Sequence, residues 1–228
     1  MRELSQRIVV LLDAGGTLIT LDYDRVRCAL GVDDPPTDEQ LDRAEARARV
    51  WANVALRRQL APRELWNGYF RRLLLGAGAA APAVPGALTR LWELNRERGL
   101  WRRPVPGARA VLERLRAAGR RLGVISNAEG QVEADLRAAG FGDLLETVID
   151  SHLVGVAKPD RRIFEIALER MRADPGQAVY VGDVPAFDVD GPRAAGIPAI
   201  LLDPHGIHED IDVKRISGLQ QLPEALGL

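Results

Sequence analysis

The stretch IVVLLDAGGTL occupies residues 8–18 and joins an unbroken apolar run to a carboxylate and two glycines. A fully buried parallel strand reads as such a run, because helices cover both of its faces. We therefore predict a strand over residues 8–12. Ligands of open α/β sheets bind beyond the carboxyl ends of the strands, which places Asp13 where a substrate could lie. Gly15 and Gly16 let the backbone turn sharply and approach a ligand.

The same strand pattern returns in the second half of the chain. From about residue 104, short apolar runs alternate with helical patterns, which indicates β-α units that build a parallel sheet. The predicted strands cover residues 121–125, 147–150, 178–181 and 198–202. The predicted helices cover residues 105–118, 129–139, the region near 161–171, and a segment that ends at residue 195. The pattern predicts an α/β protein with a parallel, Rossmann-like three-layer core.

The alternation is interrupted between residues 21 and 103. Helical spacing of apolar residues predicts three helices there, at 37–60, 62–75 and 87–98. Thr37 or Asp38 is the expected N-cap of the first of them. We therefore expect a core domain made of residues 1–20 and 104–228, with residues 21–103 inserted as an all-helical domain.

Composition limits the classes of partner. The chain has 228 residues, of which 46% are hydrophobic and 28% charged, and its net charge is −1. No overall field favours nucleic acid or an anionic membrane, and no targeting segment or membrane span is recognised. The single cysteine, Cys28, excludes an intramolecular disulfide framework and a Cys-rich zinc site. We expect a cytoplasmic protein, monomeric or homodimeric, whose partner is a small molecule.

Three further segments carry polar side chains where a predicted strand ends or the next helix begins. Ser126 could donate to a phosphate oxygen, although Ser126-Asn127 is also typical of turns and helix caps. Lys158 precedes a proline, which favours an extended backbone that could aim its ammonium at an anion; a solvated loop lysine is the alternative. Asp183 and Asp188 suggest a hard cation with oxygen ligands, and Asp188 could also cap a helix.

All these side chains belong to the same predicted edge of the sheet as Asp13. Together they offer a nucleophile, a hydroxyl, a lysine and an acidic pair, which suits phosphoryl transfer. A carboxylate attacks phosphorus in line, Mg²⁺ and a lysine neutralise the phosphoryl oxygens, and water then hydrolyses the aspartyl-phosphate. The sequence predicts a magnesium-dependent hydrolase that acts on a small phosphorylated molecule.

In the order and spacing of these motifs, nearly the whole chain resembles hydrolases of the haloacid dehalogenase superfamily that carry a helical, C1-type cap. The resemblance implies that residues 21–103 form this cap. It also implies the residues of the site. Asp13 would be the nucleophile and a Mg²⁺ ligand, and the further Mg²⁺ ligands would be the Gly15 carbonyl, Asp183 and Asp188. Lys158 would be a catalytic bridge to substrate, and the phosphate would be surrounded by Thr17, Ser126, Asn127 and Lys158.

One position departs from the family pattern. Phosphatases of this superfamily usually carry a second Asp two residues after the nucleophile, which acts as general acid and then as base, whereas this chain has Gly15. General acid–base groups contribute roughly 10²–10⁴-fold to rate. Either another group supplies this chemistry, with Asp22, Asp24 and Glu129 as candidates, or the leaving group needs little protonation, or activity is weak.

Other branches of the superfamily also lack that Asp. Phosphonatases use a cap lysine, and residues 21–103 contain none, which excludes that chemistry. Haloacid dehalogenases need no metal and lack the acidic pair, whereas Asp183 and Asp188 are present here. The retained carboxylates favour a phosphate substrate. A catalytically weakened protein with a binding or regulatory role stays open.

Overall fold

The computed structural model describes residues 8–58 and 60–228. The chain forms two compact units. The first contains the described residues up to Thr20 together with Trp101–Leu228, and the second comprises Leu21–Leu100. The second unit corresponds to the insert expected over residues 21–103. The assignment of the two units as core domain and cap domain stays a prediction.

The strands lie in two sheets. They are β1 (Val9–Leu12), β2 (Ile19–Leu21), β3 (Trp101–Pro104), β4 (Arg121–Ser126), β5 (Thr147–Asp150), β6 (Ala178–Gly182), β7 (Ala199–Leu202) and β8 (Lys214–Ile216). Six of them form one sheet in the order β5-β4-β1-β6-β7-β8, and every neighbouring pair is parallel. β2 and β3 form a separate two-stranded sheet.

Helices account for most of the remaining regular structure. The α-helices are α1 (Tyr23–Leu30), α2 (Asp38–Arg57), α3 (Pro62–Gly76), α4 (Val84–Arg98), α5 (Ala108–Ala117), α6 (Val132–Ala138), α7 (Ser151–Val154), α8 (Arg161–Arg170), α9 (Pro185–Asp188), α10 (Asp190–Ala194) and α11 (Leu222–Ala225). Short 3-10 helices lie at Ala81–Ala83, Pro175–Gln177 and Leu219–Gln221. No helix of the described residues is long and apolar enough to cross a lipid bilayer.

Both faces of the six-stranded sheet are covered, which explains its unbroken apolar strands. Alternate residues of a strand point to opposite faces. One face packs its side chains, such as those of Val10 and Leu12, against α5 and α6. The other face, with Val9 and Leu11, packs against α8. The predicted parallel α/β core with three layers is confirmed.

Strand order brings the chemistry to one place. β1 lies between β4 and β6, and Leu12 is level with Val124 on one side and Val181 on the other. The chain moves from β1 outward to β4 and β5 and then returns to β6 on the opposite side of β1. Ligands of open α/β sheets bind at such a switch point, beyond the carboxyl ends of the strands. Asp13 follows β1 there, and its N–H donates to Val181 O at 2.8 Å.

Several predicted helices differ from the observed ones by about three residues at an end. Two differences have a clear physical cause. The helix predicted from residue 129 begins at Val132, because Gly130 adopts a left-handed φ of 93° and the Asp150 carboxylate accepts its N–H at 2.9 Å. The helix predicted to end at residue 195 is split into α9 and α10. Pro192 explains the break, because it has no N–H to continue the helical hydrogen bonding.

The helical unit Leu21–Leu100 has its own polar centre. Thr37 caps α2, as predicted, through a capping box with Gln40. The buried carboxylate of Glu45 on α2 accepts hydrogen bonds from the Tyr23 hydroxyl at 2.7 Å, the Tyr69 hydroxyl at 2.9 Å and Arg49 Nη2 at 2.7 Å. These bonds join α1, α2 and α3.

The charge of Glu45 is stabilised by its neighbours. Burial favours the neutral acid, but the Arg49 guanidinium and the two tyrosine hydroxyls outweigh it and hold the pKa of Glu45 below its ordinary value. A carboxylate whose pKa is lowered by folding stabilises the fold above its unfolded pKa, and this contribution is lost as the pH falls through the lowered value.

We expect Glu45→Gln to lower the free energy of unfolding by about 3 kcal/mol at pH 7, because it leaves Arg49 without its buried partner. Urea unfolding followed by tryptophan fluorescence measures the loss. The difference from the wild type should shrink below about pH 4.5, the ordinary pKa of a glutamate.

Glu39→Gln is the matched control, because Glu39 pairs with Arg43 on the exposed face of the same helix at 3.3 Å. Such exposed pairs contribute about 0–1 kcal/mol. Equal losses for the two variants, or a Glu45→Gln loss that does not change with pH, would contradict this account.

Candidate functional site

Asp13 lies at the carboxyl end of β1, directly before a tight turn. The Ala14 carbonyl accepts N–H groups of Leu18 at 2.8 Å and Ile19 at 3.0 Å, which folds the turn back on itself. Asp13 Oδ1 accepts the Ala14 N–H at 2.8 Å and lies 2.8 Å from Lys158 Nζ. The Asp13 carboxylate is thus buried, oriented by the backbone and paired with a cation.

Lys158 is the buried cation of the site, with 4% of its surface exposed. Its Nζ lies 2.8 Å from Asp13 Oδ1, 2.8 Å from Asp188 Oδ1 and 2.9 Å from the Tyr180 hydroxyl. Burial favours the neutral amine, but the two carboxylates outweigh it and hold the pKa of Lys158 above its usual value. The lysine is therefore charged at neutral pH, and it links Asp13 to Asp188.

Asn127 holds the backbone of Lys158. The Asn127 side chain accepts the Lys158 N–H at 2.8 Å through Oδ1 and donates to the Lys158 carbonyl at 3.0 Å through Nδ2. Both polar ends of the amide are thus used within the protein. The sequence pattern could not show this role, because the two residues are far apart along the chain, and the predicted contact of Asn127 with phosphate stays a prediction.

Asp183 and Asp188 follow β6. Asp188 is fully buried, and its Oδ2 accepts the N–H groups of Asp183 at 3.0 Å and Val184 at 2.9 Å. The Thr17 hydroxyl is also fully buried and donates to Asp183 Oδ1 at 3.4 Å. Asp188 comes this close to the strand end because Gly182 has no side chain: a Cβ there would lie 2.4 Å from Asp188 Cγ.

Three carboxylates of this site could hold a metal ion. One oxygen from each of Asp13, Asp183 and Asp188 lies within 4.8 Å of the other two, and all three residues are buried. With the Lys158 ammonium, the group carries a net formal charge of two negative units. A hard divalent cation with oxygen ligands fits this donor set and would neutralise it.

The burial and the charges of the site also change the pKa of Asp13. Burial raises the pKa of Asp13 to about 6, against the opposing effect of Lys158, and the neighbouring Asp188 carboxylate adds to the increase. Additional positive charge at the carboxylates would favour the ionised, nucleophilic form of Asp13.

Ser126 ends β4, next to β1, and is buried. The loop that follows it is held by two residues that the sequence reasoning did not single out. The Asp150 carboxylate accepts N–H groups of Gly130 at 2.9 Å and His152 at 2.9 Å. The Ser151 hydroxyl accepts the Ala128 N–H at 3.1 Å. The geometry fixes the backbone beyond Ser126; contact of Ser126 with a phosphate stays a prediction.

Gly15 lies in the turn after Asp13 and has space beside it. Its φ is not in the left-handed region, unlike that of Gly16 at 84°. A Cβ at Gly15 would lie 3.4 Å from Trp101 Cδ1, an ordinary van der Waals distance. The backbone would thus accept a side chain at this position.

Comparison with known proteins identifies relatives of the chain. A family model described as haloacid dehalogenase-like hydrolase matches residues 9–196. Haloacid dehalogenase-like hydrolase domain-containing protein 3 of Mus musculus is 32% identical over 169 residues, or 73% of this chain and 67% of that protein. Glyceraldehyde 3-phosphate phosphatase of Methanothermobacter thermautotrophicus is 37% identical over 134 residues, or 54% of this chain and 59% of that protein. The matches span 59–67% of these relatives' lengths.

Solved structures share the fold across both units. The magnesium-bound HAD-hydrolase YfnB of Bacillus subtilis matches 98% of this chain and 100% of its own, with a TM-score of 0.70 and 19% identity. An HAD phosphatase of Thermococcus onnurineus matches 96% and 97%, with a TM-score of 0.62 and 26% identity. A 2-haloacid dehalogenase of Pseudomonas syringae matches 97% and 98%, with a TM-score of 0.60 and 26% identity. The fold is therefore common to phosphatases and dehalogenases.

We expect Gly182→Ala to displace the Asp188 carboxylate, since the added Cβ would lie 2.5 Å from Asp188 Oδ2. Overpacking of this kind lowers the free energy of unfolding by about 1–3 kcal/mol, which urea unfolding measures.

Gly86→Ala serves as its control, because a Cβ there meets only the flexible end of Arg90, at 3.3 Å. Alanine within a helix should leave stability unchanged or increase it by up to about 1 kcal/mol. A Gly182→Ala protein as stable as the wild type would show that Asp188 is not held against this glycine.

Proposed function

Because the chain belongs to the haloacid dehalogenase-like hydrolase family, we propose that it is a magnesium-dependent phosphatase that acts on a small phosphorylated molecule through Asp13. The observation that carries this proposal is the cluster of three buried carboxylates around the Lys158 ammonium. The phosphatase names of relatives such as the Methanothermobacter and Thermococcus proteins agree with it.

Asp13 is the proposed nucleophile. Its carboxylate is fixed by the Ala14 N–H and by Lys158, and it attacks phosphorus in line as the leaving oxygen departs. Water then hydrolyses the aspartyl-phosphate and regenerates the carboxylate. The Lys158 ammonium stabilises negative charge on Asp13 and on the transferred group.

The proposed metal ligands are Asp13, Asp183, Asp188 and the Gly15 carbonyl. A magnesium ion bound there would supply positive charge that reduces repulsion between the Asp13 carboxylate and the phosphoryl oxygens. Thr17 lies in the turn that follows Asp13, and its hydroxyl holds Asp183 by donating to Asp183 Oδ1 at 3.4 Å. We further propose that Thr17, Ser126 and Asn127 line the phosphate side of the site.

The acidic cluster favours a phosphate over a halide leaving group. Dehalogenation presents no phosphoryl oxygens that need a cation, so three buried carboxylates would only repel one another and the anionic haloacid. The P. syringae dehalogenase is as similar in sequence to this chain as the Thermococcus phosphatase, so the names alone do not decide. The charges at the site support the phosphate.

Protonation of the leaving group is the step that the residues of the site support least. Gly15 offers no proton, and two of the acids considered as replacements are already engaged within the helical unit. The Asp22 carboxylate caps α1 by accepting the Asp24 N–H at 3.1 Å, and Asp24 pairs with Arg27 at 2.7 Å. An ester whose leaving group departs without protonation is therefore the appropriate first substrate.

Hydrolysis of p-nitrophenyl phosphate, measured with and without Mg²⁺, tests the proposed function. We expect turnover that requires Mg²⁺ and that falls at least roughly 10³-fold in Asp13→Asn, because an amide is a poor nucleophile. Asp190→Asn makes the same chemical change at an exposed residue of α10 and should retain full activity. Folded protein without turnover, or turnover that Asp13→Asn leaves intact, would contradict the proposal; a haloacid would then be the next substrate.

Gly15→Asp tests the missing acid. The position has space for a Cβ beside Trp101, and a carboxyl group there could protonate a poor leaving group. We expect the kcat for an alkyl phosphate to increase at least roughly tenfold, while that for p-nitrophenyl phosphate changes less. Gly15→Asn, which fills the same space without an ionisable proton, is the control. An equal effect of both variants on both esters would show that proton transfer at this position does not limit the reaction.

A further inference from the structure

Tyr180 lies on β6, where its apolar neighbours suggest a core residue, yet its hydroxyl reaches the site. We propose that Tyr180 is a positioning residue, whose hydroxyl fixes the Lys158 ammonium so that one N–H remains directed at Asp13. This inference rests on the proposed function, since it assigns Tyr180 a part in the same reaction. Nothing in the motif pattern singles out this tyrosine.

The Lys158 ammonium is saturated with acceptors. A lysine ammonium has three N–H donors and no acceptor. Three protein acceptors lie around Lys158 Nζ: Asp13 Oδ1 at 2.8 Å, Asp188 Oδ1 at 2.8 Å and the Tyr180 hydroxyl at 2.9 Å. The three contacts together saturate the buried ammonium. Without the third, one N–H loses this acceptor, and the ammonium is held by the two carboxylates alone.

The Tyr180 hydroxyl is itself oriented by a hydrogen bond. The Tyr180 O–H donates to the Ile125 carbonyl of β4 at 3.2 Å, so its oxygen presents lone pairs to Lys158.

The Tyr180 ring is held in place by its packing. Tyr180 is fully buried and packs edge-on against Phe164 of α8, with ring centroids 5.3 Å apart. Lys158 Nζ lies 5.5 Å from the Tyr180 ring centroid, so the hydroxyl, at 2.9 Å, is the near contact. Replacement by phenylalanine would keep the packing and remove only the acceptor.

The consequence for the reaction is specific. The hydroxyl bonds to the Lys158 ammonium and the Ile125 carbonyl, lies near the Asp188 carboxylate, and reaches Asp13 through the ammonium. Loss of the hydroxyl should therefore disturb the alignment of the nucleophile more than the binding of the phosphate. The expected signature is a lower kcat with an unchanged KM.

The ammonium can be observed without any catalytic assay. The chain has only two lysines, Lys158 and Lys214, so protein labelled with ¹⁵N-lysine gives at most two ε-ammonium signals in NMR. Lys214 is exposed, and Lys214→Arg assigns the remaining signal to Lys158. We expect Lys158 to exchange its ammonium protons slowly in the wild type and at least roughly tenfold faster in Tyr180→Phe, because one donor then lacks a protein acceptor.

Tyr69→Phe is the matched control. It removes another buried hydroxyl that bonds to a charged group, Glu45 at 2.9 Å, within the helical unit. It should lower stability to a similar degree, and it should change neither the Lys158 signal nor kcat. A general loss of folded protein would affect both variants alike, which separates positioning from stability.

Kinetics with p-nitrophenyl phosphate complete the test. We expect kcat to fall roughly tenfold in Tyr180→Phe, the effect of one hydrogen bond to a charged group, with KM within about twofold of the wild type. Unchanged ammonium exchange, unchanged kcat, or a change in KM alone would overturn the inference. A wild type without turnover would overturn the proposed function and the catalytic part of this inference with it, whereas the NMR result would still decide whether Tyr180 holds the ammonium.

Discussion

The buried ammonium of Lys158, held 2.8 Å from both Asp13 and Asp188, is the interaction on which the rest of the site depends. A charged group buried away from water lowers the stability of the fold unless partners of opposite charge surround it. Removal of one partner then leaves a buried charge uncompensated. The fold therefore has to bring β1, β6 and the segment before α8 to the same point. The parallel strand order, with β1 between β4 and β6, does this.

Much of this arrangement could be predicted from sequence, because each motif follows a strand or precedes the next helix, and parallel strands share one carboxyl edge. The buried strands, the three layers and the proximity of Asp13, Asp183 and Asp188 follow from that rule. Contacts that depend on side-chain direction across distant segments could not be predicted. The Asn127 amide holds the Lys158 backbone, and the Tyr180 hydroxyl holds its ammonium, and neither has a local sequence signal.

The prediction of local structure from sequence was wrong where tertiary contacts compete with helical propensity. The helix after β4 begins late because the Asp150 carboxylate takes the N–H groups of the preceding loop, a partner that is distant in sequence. Short elements such as α7 and β8 have too few residues to show a period. The requirement for Gly182 is likewise visible only once Asp188 is seen against it.

Charge is the reason for proposing a phosphatase among the activities that this fold supports. Three buried carboxylates and one ammonium leave a negative excess, and burial raises the pKa of Asp13 to about 6. A divalent cation would remove this excess, and a phosphoryl group would then meet a site of balanced charge. Displacement of a halide would require neither the cation nor a site of balanced charge. Under the proposed function, the absence of a side chain at Gly15 would limit which phosphate esters the site could cleave and would leave Asp13, the proposed nucleophile, unaffected.

The most direct test of this account is to identify the residue that carries the phosphoryl group. Enzyme that is turning over p-nitrophenyl phosphate with Mg²⁺ would be quenched and reduced with borohydride, which converts an aspartyl-phosphate to homoserine, and then mapped by mass spectrometry. The account predicts homoserine at position 13, dependent on both substrate and Mg²⁺. Reduction at a different carboxylate, or phosphate release with no modified residue, would contradict it.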